Sequence, residues 1–237
     1  MKPFFYIAFM NTGKLFVVAT PIGNLSDITL RAIETLKTVD FIVCEDTRVT
    51  KVLLDHFQIH KPFVVANAQS ENRKIQGILS KIEVGEVCAL VSDAGTPSIS
   101  DPGGRLINTA IKNGIEVLGI PGANAAILAL SISGLPTDSF VFEGFLPQKK
   151  GRQKKLIELS NETRTIILYE STYRIEKLLN ELNEYMKDRF VVICRELTKK
   201  FEEVWRGFPS ELLQELPNKN IKGEFVVLIA PIKWKQG

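Results

Sequence analysis

A loop rich in glycine, proline, serine and aspartate, residues 92–104, is the segment of this chain best suited to binding a ligand. It follows the apolar run Val87–Val91, which predicts a buried strand, and it precedes residues 105–111, which predict a helix. Glycines allow the backbone to approach a ligand closely, and prolines reduce the entropy lost on binding. Because open α/β sheets bind ligands at the carboxyl ends of their strands, we predict a binding site in this loop.

Five further loops with polar or turn-forming residues follow other predicted strands. They are residues 20–24, 45–48 and 121–125, followed later in the chain by residues 170–172 and 195–199. Taken singly, each has an ordinary explanation as a turn, a helix cap or a surface ion pair. Because strand ends converge in a doubly wound sheet, six such loops in one chain favour a shared site.

Several common chemistries lack their sequence motifs. The chain has neither a Walker phosphate loop nor a Gly-x-Gly-x-x-Gly fingerprint after the first predicted strand. It also lacks a Gly-x-Ser-x-Gly elbow, and neither of its two histidines, His56 and His60, falls in the loops described above. The three cysteines lie in or at the end of apolar runs without metal-ligand spacing, so we predict buried free thiols and no metal site.

Strand and helix patterns alternate along the chain, which predicts an α/β fold of two domains. Residues 14–125 are expected to form an amino-terminal domain with a mostly parallel sheet, and residues 126–237 a carboxyl-terminal domain with a mixed sheet. Asp27 is predicted to cap a helix that extends to Thr38. We expect residues 1–13 to be a loosely ordered extension that neither directs export nor spans a bilayer.

The composition permits a nucleic-acid partner without requiring one, since the formal net charge is only +3. Five of the seven residues in the run 149–155 are lysine or arginine, and a helix is predicted to start near Lys149. This run has two interpretations, a solvated helix start or a contact with RNA phosphates. Free thiols suit a reducing compartment, so we expect a cytoplasmic protein without membrane attachment.

Eight ordered segments of the chain carry a resemblance to a known family. They are residues 19–29, 45–50, 92–104, 121–124, 143–147, 170–175, 195–199 and 222–224. Together they resemble the tetrapyrrole-methylase superfamily of S-adenosylmethionine-dependent enzymes, over roughly Leu15 to Pro231. One departure concerns Gly95-Thr96-Pro97, because corrin and porphyrin methylases have Gly-Asp-Pro there. This departure argues against a tetrapyrrole substrate.

The resemblance implies two α/β domains of the class III methyltransferase type, with S-adenosyl-L-methionine bound in an interdomain cleft, and a homodimer. The members that the chain resembles in detail methylate the ribose 2′-hydroxyl of a cytidine in the decoding region of small-subunit (16S) ribosomal RNA. The implied partner is therefore this RNA or the assembled 30S subunit. The residues expected to bind the cofactor are Pro21, Asp93, Ala94, Gly95, Thr96, Ile99, Asn124, Ala125, Glu170 and Leu197.

Methyl transfer to a hydroxyl requires in-line positioning and a group that removes the hydroxyl proton. Glu45, Asp46 and Arg48 are predicted to be the catalytic cluster, with Glu45 as the base. The residues predicted to bind substrate are Asn24, Lys51, Asp101, Lys149, Lys150 and Arg152. Two alternatives remain open at this point: a methyltransferase of the same superfamily that acts on a tetrapyrrole or a protein, and a non-catalytic ribosome-binding factor.

Overall fold

The computed structural model describes residues 13–66 and 72–235. Except for Gly13, the predicted amino-terminal extension lies outside the described residues. The chain divides after Ala123 into a first unit and a second unit that begins at Asn124. The prediction of two α/β bodies is confirmed. The division falls two residues before the boundary predicted from the sequence.

In the residues that the structure describes, the first unit is built on a parallel sheet of five strands. These are β1 (Lys14–Val18), β2 (Phe41–Cys44), β3 (Phe63–Val65), β4 (Cys88–Leu90) and β5 (Glu116–Ile120). Their order in the sheet is β3-β2-β4-β1-β5, and every neighbouring pair is parallel. Strands β2 and β4 are apolar and buried along their whole length, as is typical of parallel strands covered by helices on both faces.

Within the described part of the first unit, four helices cover the sheet, two on each face. They are α1 (Leu30–Thr38), α2 (Thr47–His56), α3 (Asn72–Glu83) and α4 (Gly104–Lys112). Helices α1 and α2 pack on the face that includes Ile42, whereas α3 and α4 pack on the face that includes Val43. The chain runs from β1 to β3 in one direction along the sheet and then reverses, so right-handed crossovers place the later helices on the opposite face. Neighbouring strands β1 and β4 therefore send their loops to opposite faces, which opens a crevice at their carboxyl ends.

The predicted helix cap at Asp27 is wrong. Residues Leu25–Asp27 form a separate 3-10 turn, which Asn24 caps by accepting a hydrogen bond from the backbone N–H of Ser26 at 3.1 Å. Helix α1 begins at Leu30, with Thr29 as its cap, because the Thr29 hydroxyl accepts from the backbone N–H of Ala32 at 3.1 Å.

The second unit is built on a mixed sheet of five strands. These are β6 (Phe140–Phe145), β7 (Thr165–Ser171), β8 (Val191–Arg195), β9 (Glu203–Gly207) and β10 (Glu224–Ile229). Their order is β6-β7-β10-β8-β9, with β6 and β7 parallel and the other neighbours antiparallel. A large apolar core on one face is formed with α6 (Arg152–Ser160), α7 (Ile175–Tyr185) and α8 (Pro209–Glu215). Helix α5 (Ala125–Ser133) packs against β7 and β10.

The three cysteines are buried free thiols, and burial raises the pKa of Cys194 to about 12, so this thiol is a poor nucleophile. In residues 13–66 and 72–235 no helix is long and apolar enough to cross a membrane. Over the same ranges, no group of three or more His, Cys, Asp or Glu residues is arranged to hold a metal ion.

Candidate functional site

The loops that follow β1 and β4 are joined by an isolated antiparallel bridge between Thr20 and Gly95. The backbone N–H of Thr20 donates to the carbonyl of Gly95 at 2.9 Å, and the N–H of Gly95 donates back at 3.1 Å. The buried Thr20 hydroxyl also donates to the carbonyl of Ser92 at 3.1 Å. These bonds hold Pro21 beside the glycine-rich loop, at the crevice that the strand order predicts.

The glycine-rich loop has an unusual backbone. Gly95 has φ +82, and a Cβ added there would lie 3.2 Å from a methyl carbon of Ile22. Ser98 and Ser100 have φ of 68 and 61, a region that side chains other than glycine seldom occupy. Such strain is retained at functional sites when the surrounding structure enforces it. This loop therefore has the backbone features of a binding loop.

The glycine-rich loop is also tied to the end of β5. The hydroxyl of Thr96 donates to the carbonyl of Ala123 at 3.1 Å. A Cβ added at Gly122 would lie 2.9 Å from the Cβ of Ala19, so only glycine permits this close approach of the β1 and β5 loops. The first unit thus brings together the predicted cofactor residues Pro21, Asp93, Ala94, Gly95, Thr96 and Ile99 on neighbouring loops.

The predicted catalytic acids form a cluster with Asp93. The backbone N–H of Asp46 donates to Oδ1 of Asp93 at 3.2 Å, which joins the loop after β2 to the loop after β4. Burial, together with the negative charges of Asp93 and Asp46, raises the pKa of Glu45 above its usual range. A carboxyl group with a raised pKa is a better proton acceptor near neutral pH than an ordinary one.

Asp46 is suited to a different role. Its carboxylate caps α2 and binds the Arg48 guanidinium, with an N–O distance of 2.5 Å. The hydrogen bonds from Arg48 lower the pKa of Asp46 to about 2. Such a carboxylate is a weak proton acceptor near neutral pH, whereas Arg48 itself projects into solvent with 89% of its side chain exposed. The cluster therefore separates a candidate base, Glu45, from a candidate phosphate contact, Arg48.

The other residues of the first unit that are predicted to bind substrate lie on segments that follow the carboxyl ends of the strands. Asn24 is exposed, and its side-chain oxygen caps the 3-10 turn. Lys51 is exposed on α2, one turn after Arg48. Asp101 is partly buried near the end of the glycine-rich loop.

In the second unit, the predicted cofactor residues Asn124 and Ala125 form the start of α5. Asn124 caps this helix by accepting from the backbone N–H of Ile127 at 3.2 Å. The N–H of Ala126 donates to the Tyr169 hydroxyl at 3.2 Å, so the helix start is joined to the end of β7. Tyr169 was not among the predicted site residues, because at the end of an apolar strand it resembles any core aromatic.

Leu197 lies in a strained turn after β8. It is buried, and its neighbours Glu196 and Thr198 have φ of 50 and 66. Gly223 lies so close to this turn that an added Cβ would be 2.6 Å from the Glu196 side chain. The turn is thus held in a conformation that residues other than glycine seldom adopt.

The prediction that Arg152 contacts RNA is corrected. Only 4% of its side chain is exposed, and its guanidinium binds the carboxylate of Glu181 at 2.6 Å. Glu170, a predicted cofactor residue, also has a fully buried side chain, so its carboxylate faces protein groups. Lys149 and Lys150 are exposed, as a phosphate contact requires.

Comparison with known proteins gives one family. Residues 14–213 match the model of the tetrapyrrole (corrin/porphyrin) methylases. A protein of Synechocystis sp. called ribosomal RNA small subunit methyltransferase I is 49% identical over 220 residues, which cover 92% of this chain and 79% of that one. A protein of Thermotoga maritima with the same name is 44% identical over 218 residues, which cover 92% of this chain and 98% of that one.

Solved structures share the fold at lower identity. The uroporphyrin-III C-methyltransferase of Thermus thermophilus, crystallised in complex with S-adenosylhomocysteine, superimposes with a TM-score of 0.64. It is 17% identical, and the match covers 91% of this chain and 97% of that one.

Proposed function

The chain belongs to the tetrapyrrole methylase family, within it to the ribosomal RNA small subunit methyltransferase I proteins, and we propose that it methylates the ribose 2′-hydroxyl of a cytidine in the decoding region of 16S ribosomal RNA. The observation that carries this proposal is the identity of 44–49% to proteins of that name over 92% of the chain. The general activity is that of a ribosomal RNA methyltransferase. To this general activity the proposal adds the nucleoside, cytidine, and the atom that is methylated, the ribose 2′-oxygen.

The methyl donor is S-adenosyl-L-methionine, and the loops of the first unit suit it chemically. The donor carries a positive sulfonium beside an uncharged adenosine, so the part of its site next to the sulfonium favours polar groups and carboxylates over cations. The predicted donor-binding residues of the first unit include one carboxylate, Asp93, and no lysine or arginine. When bound, the donor supplies an electrophilic methyl group that needs little further activation.

The protein must then orient the ribose and remove the hydroxyl proton. In the proposal the Glu45 carboxylate accepts this proton, because burial and neighbouring negative charges raise its pKa. The backbone bond from Asp46 to Asp93 fixes the position of Glu45 relative to the glycine-rich loop. Asn24 and Asp101 are proposed to orient the ribose and base from the same edge of the sheet.

Lysine and arginine residues supply the attraction for the RNA backbone. Arg48 and Lys51 lie on the same helix beside the acidic cluster, and we propose that they contact phosphates next to the target nucleotide. Lys149 and Lys150 in the second unit are proposed to contact phosphates farther along the RNA strand. These contacts set the register and affinity of the RNA and leave the choice of nucleotide to contacts with the base.

The test is transfer of labelled methyl groups from S-adenosylmethionine to small ribosomal subunits from a strain that lacks this methylation. The same reaction is run on protein-free 16S ribosomal RNA, and the product is digested to nucleosides. Label in 2′-O-methylcytidine supports the proposal, and a comparison of the two reactions identifies the preferred substrate. Label in another nucleoside overturns the proposed specificity while leaving the general activity.

An absence of label in RNA directs the search to the other acceptors of the superfamily. In that case binding of the donor, measured by calorimetry, separates a methyltransferase with a tetrapyrrole or protein acceptor from a non-catalytic ribosome-binding factor. For the methyl-transfer assay, the matched control is the Glu45→Gln variant, since it keeps the size of the side chain and removes the proposed base. We also propose a homodimer, which light scattering on the purified protein tests directly.

A further inference from the structure

The buried carboxylate of Glu170 lies between two arginines at the end of β7. Its Oε1 binds Nε of Arg174 at 2.7 Å and accepts the backbone N–H of Ser171 at 2.8 Å. Its Oε2 makes no hydrogen bond and lies 3.7 Å from Nη2 of Arg152. None of the Glu170 side chain is exposed, so the two guanidinium groups provide its charge compensation.

Both arginines also hold the backbone of one short connection. Nη1 of Arg174 donates to the carbonyl of Leu146 at 3.4 Å, and Nη1 of Arg152 donates to the carbonyl of Pro147 at 3.2 Å. These are consecutive carbonyls at the start of the connection from β6 to α6. We define residues 146–151, which include Lys149 and Lys150, as the lysine segment.

The lysine segment is fixed at its first residue and by the residue that follows it, and its middle is exposed. Leu146 and Arg152 are both buried, at 3% exposure each, whereas Lys149 and Lys150 lie in solvent. Arg152 is also bound to Glu181 of α7, with Nε at 2.9 Å from both carboxylate oxygens. An exposed turn with two buried ends presents its charges in a defined place at low cost in entropy.

We infer that Glu170 is a positioning residue that holds the lysine segment, through Arg174 and Arg152, in the conformation that binds ribosomal RNA. This inference rests on the proposed function. It assigns Glu170 a role away from the methyl donor, which differs from the contact implied by the family resemblance. It also explains why a single arginine within a basic run is buried while the lysines beside it are exposed.

The first experiment is a double-mutant cycle on binding of 16S ribosomal RNA, measured at several salt concentrations. The quantity compared is the slope of log K, the logarithm of the binding constant for RNA, against the logarithm of the salt concentration. In the wild-type background, Lys149→Ala with Lys150→Ala should reduce the magnitude of this slope by about 1.4 to 1.8, since each phosphate contact accounts for roughly 0.7 to 0.9. In the Glu170→Gln background the same double change should reduce the slope by less than about 0.5. Glu170→Gln should raise KM for RNA about tenfold with little change in kcat or donor affinity, an order-of-magnitude expectation for two misplaced contacts.

Two results would overturn the inference. Additive effects of the lysine and Glu170 substitutions would show that Glu170 does not act through the lysine segment. Loss of donor affinity in Glu170→Gln with unchanged RNA affinity would instead assign Glu170 to the donor site.

The second experiment does not depend on RNA. Trypsin cleaves after lysine, so the rate of cleavage at Lys149 and Lys150 reports how firmly the segment is held. We expect at least about tenfold faster cleavage in Glu170→Gln, which is the scale of a local opening made easier by the loss of one charged partner. Glu158→Gln is the matched control, because Glu158 is exposed and binds only Lys155 among the described residues. Unchanged cleavage in Glu170→Gln would contradict the inference.

These two measurements separate the inference from the proposed function. If the wild-type protein does not bind ribosomal RNA but Glu170→Gln is cleaved faster, the proposed function fails together with the RNA-binding part of the inference, and only the positioning of the lysine segment by Glu170 stands. If Glu170→Gln does not fold, Arg174→Lys replaces it in the trypsin assay. Lysine keeps the charge but cannot reach both Glu170 and the Leu146 carbonyl, so faster cleavage is again expected, and unchanged cleavage again contradicts the inference.

Discussion

Thr20 and Gly95 exchange two backbone hydrogen bonds, of 2.9 and 3.1 Å, across the ends of the neighbouring parallel strands β1 and β4. Loops at such strand ends normally diverge toward opposite faces of a doubly wound sheet. Here the bridge joins them, so the loop with Pro21 and the glycine-rich loop are held against each other. The surface that the two loops offer to a ligand is therefore held together by hydrogen bonds within the protein itself.

Gly95→Ala should weaken binding of the methyl donor. Gly95 has φ +82, and a Cβ there would lie 3.2 Å from a methyl carbon of Ile22. The left-handed conformation alone should lower the free energy of unfolding by about 1 to 2 kcal/mol. Because the bridge to Thr20 would shift as well, we expect the Kd for S-adenosylmethionine, measured by calorimetry, to rise at least about tenfold, which equals roughly 1.4 kcal/mol.

Gly77→Ala is the control for this substitution. Gly77 lies inside α3, and a Cβ added there would meet no atom within 4 Å. Alanine should therefore raise the free energy of unfolding by about 0.5 to 1 kcal/mol and leave donor binding unchanged. Similar losses of donor affinity in both variants would contradict a local role for Gly95.

Asn124 is expected to act in donor binding by fixing the start of α5. Its side-chain oxygen is already occupied by the backbone N–H of Ile127 at 3.2 Å. Asn124→Ala should lower the free energy of unfolding by about 1 kcal/mol, the usual cost of a lost helix cap. Asn124→Ser keeps the cap, so it should retain both the stability, measured in urea, and the donor affinity. A stable serine variant with donor affinity reduced more than tenfold would instead indicate a direct contact through the amide.

The strands and helices can be predicted from the sequence because each depends on the local spacing of apolar and polar residues. The strand ends were predicted to carry the site, and the loops after β1, β2, β4 and β5 are indeed tied together by hydrogen bonds. The start of α1 was misplaced because Asp27 and Thr29 are both good caps, and only the conformation of the preceding turn decides between them.

The environment of Arg152 depends on partners that are distant in sequence. Its position contained one local signal, since Arg152, Leu156 and Leu159 have the spacing of a single helix face, and both leucines are buried. That spacing indicates that the arginine lies on the packed side of α6. The identity of the carboxylates that bind it, Glu170 and Glu181, follows only from the packing of β7 and α7 against this helix.

Removing the positive charges of α2 should weaken RNA binding without affecting the donor. We expect Arg48→Gln with Lys51→Gln to reduce the salt slope of log K for 16S ribosomal RNA by about 1.4 to 1.8, as for two lost phosphate contacts. The control is Lys37→Gln with Lys112→Gln, which removes two exposed lysines from α1 and α4. Equal reductions in both double variants would mean that only net charge matters.

We expect the protonation of Glu45 to cause the fall in methylation rate at low pH, which is the acid limb of the pH–rate profile. In the proposed mechanism the reaction requires the Glu45 carboxylate, and burial, with Asp93 and Asp46, raises the pKa of this group. The rate at saturating RNA and donor should therefore fall as the pH decreases through a value above about 4.3, the ordinary pKa of glutamate. Glu45→Gln should reduce the single-turnover rate by about 10² to 10⁴, the range for a lost general base, and abolish the acid limb.

Asp93→Asn tests whether the neighbouring charge is the cause of that shift. The amide oxygen can still accept the backbone N–H of Asp46, which Asp93 accepts at 3.2 Å, so the loop contact is kept while the negative charge is removed. With less repulsion the Glu45 carboxylate is easier to form, and the acid limb should move to lower pH. Saturating donor offsets any loss of donor affinity in this variant. An acid limb that stays in place in Asp93→Asn would leave burial as the cause of the raised pKa of Glu45. A Glu45→Gln enzyme with the wild-type single-turnover rate would remove Glu45 from the mechanism and leave the proton to another acceptor, because Asp46, with a pKa of about 2, is too weak a base.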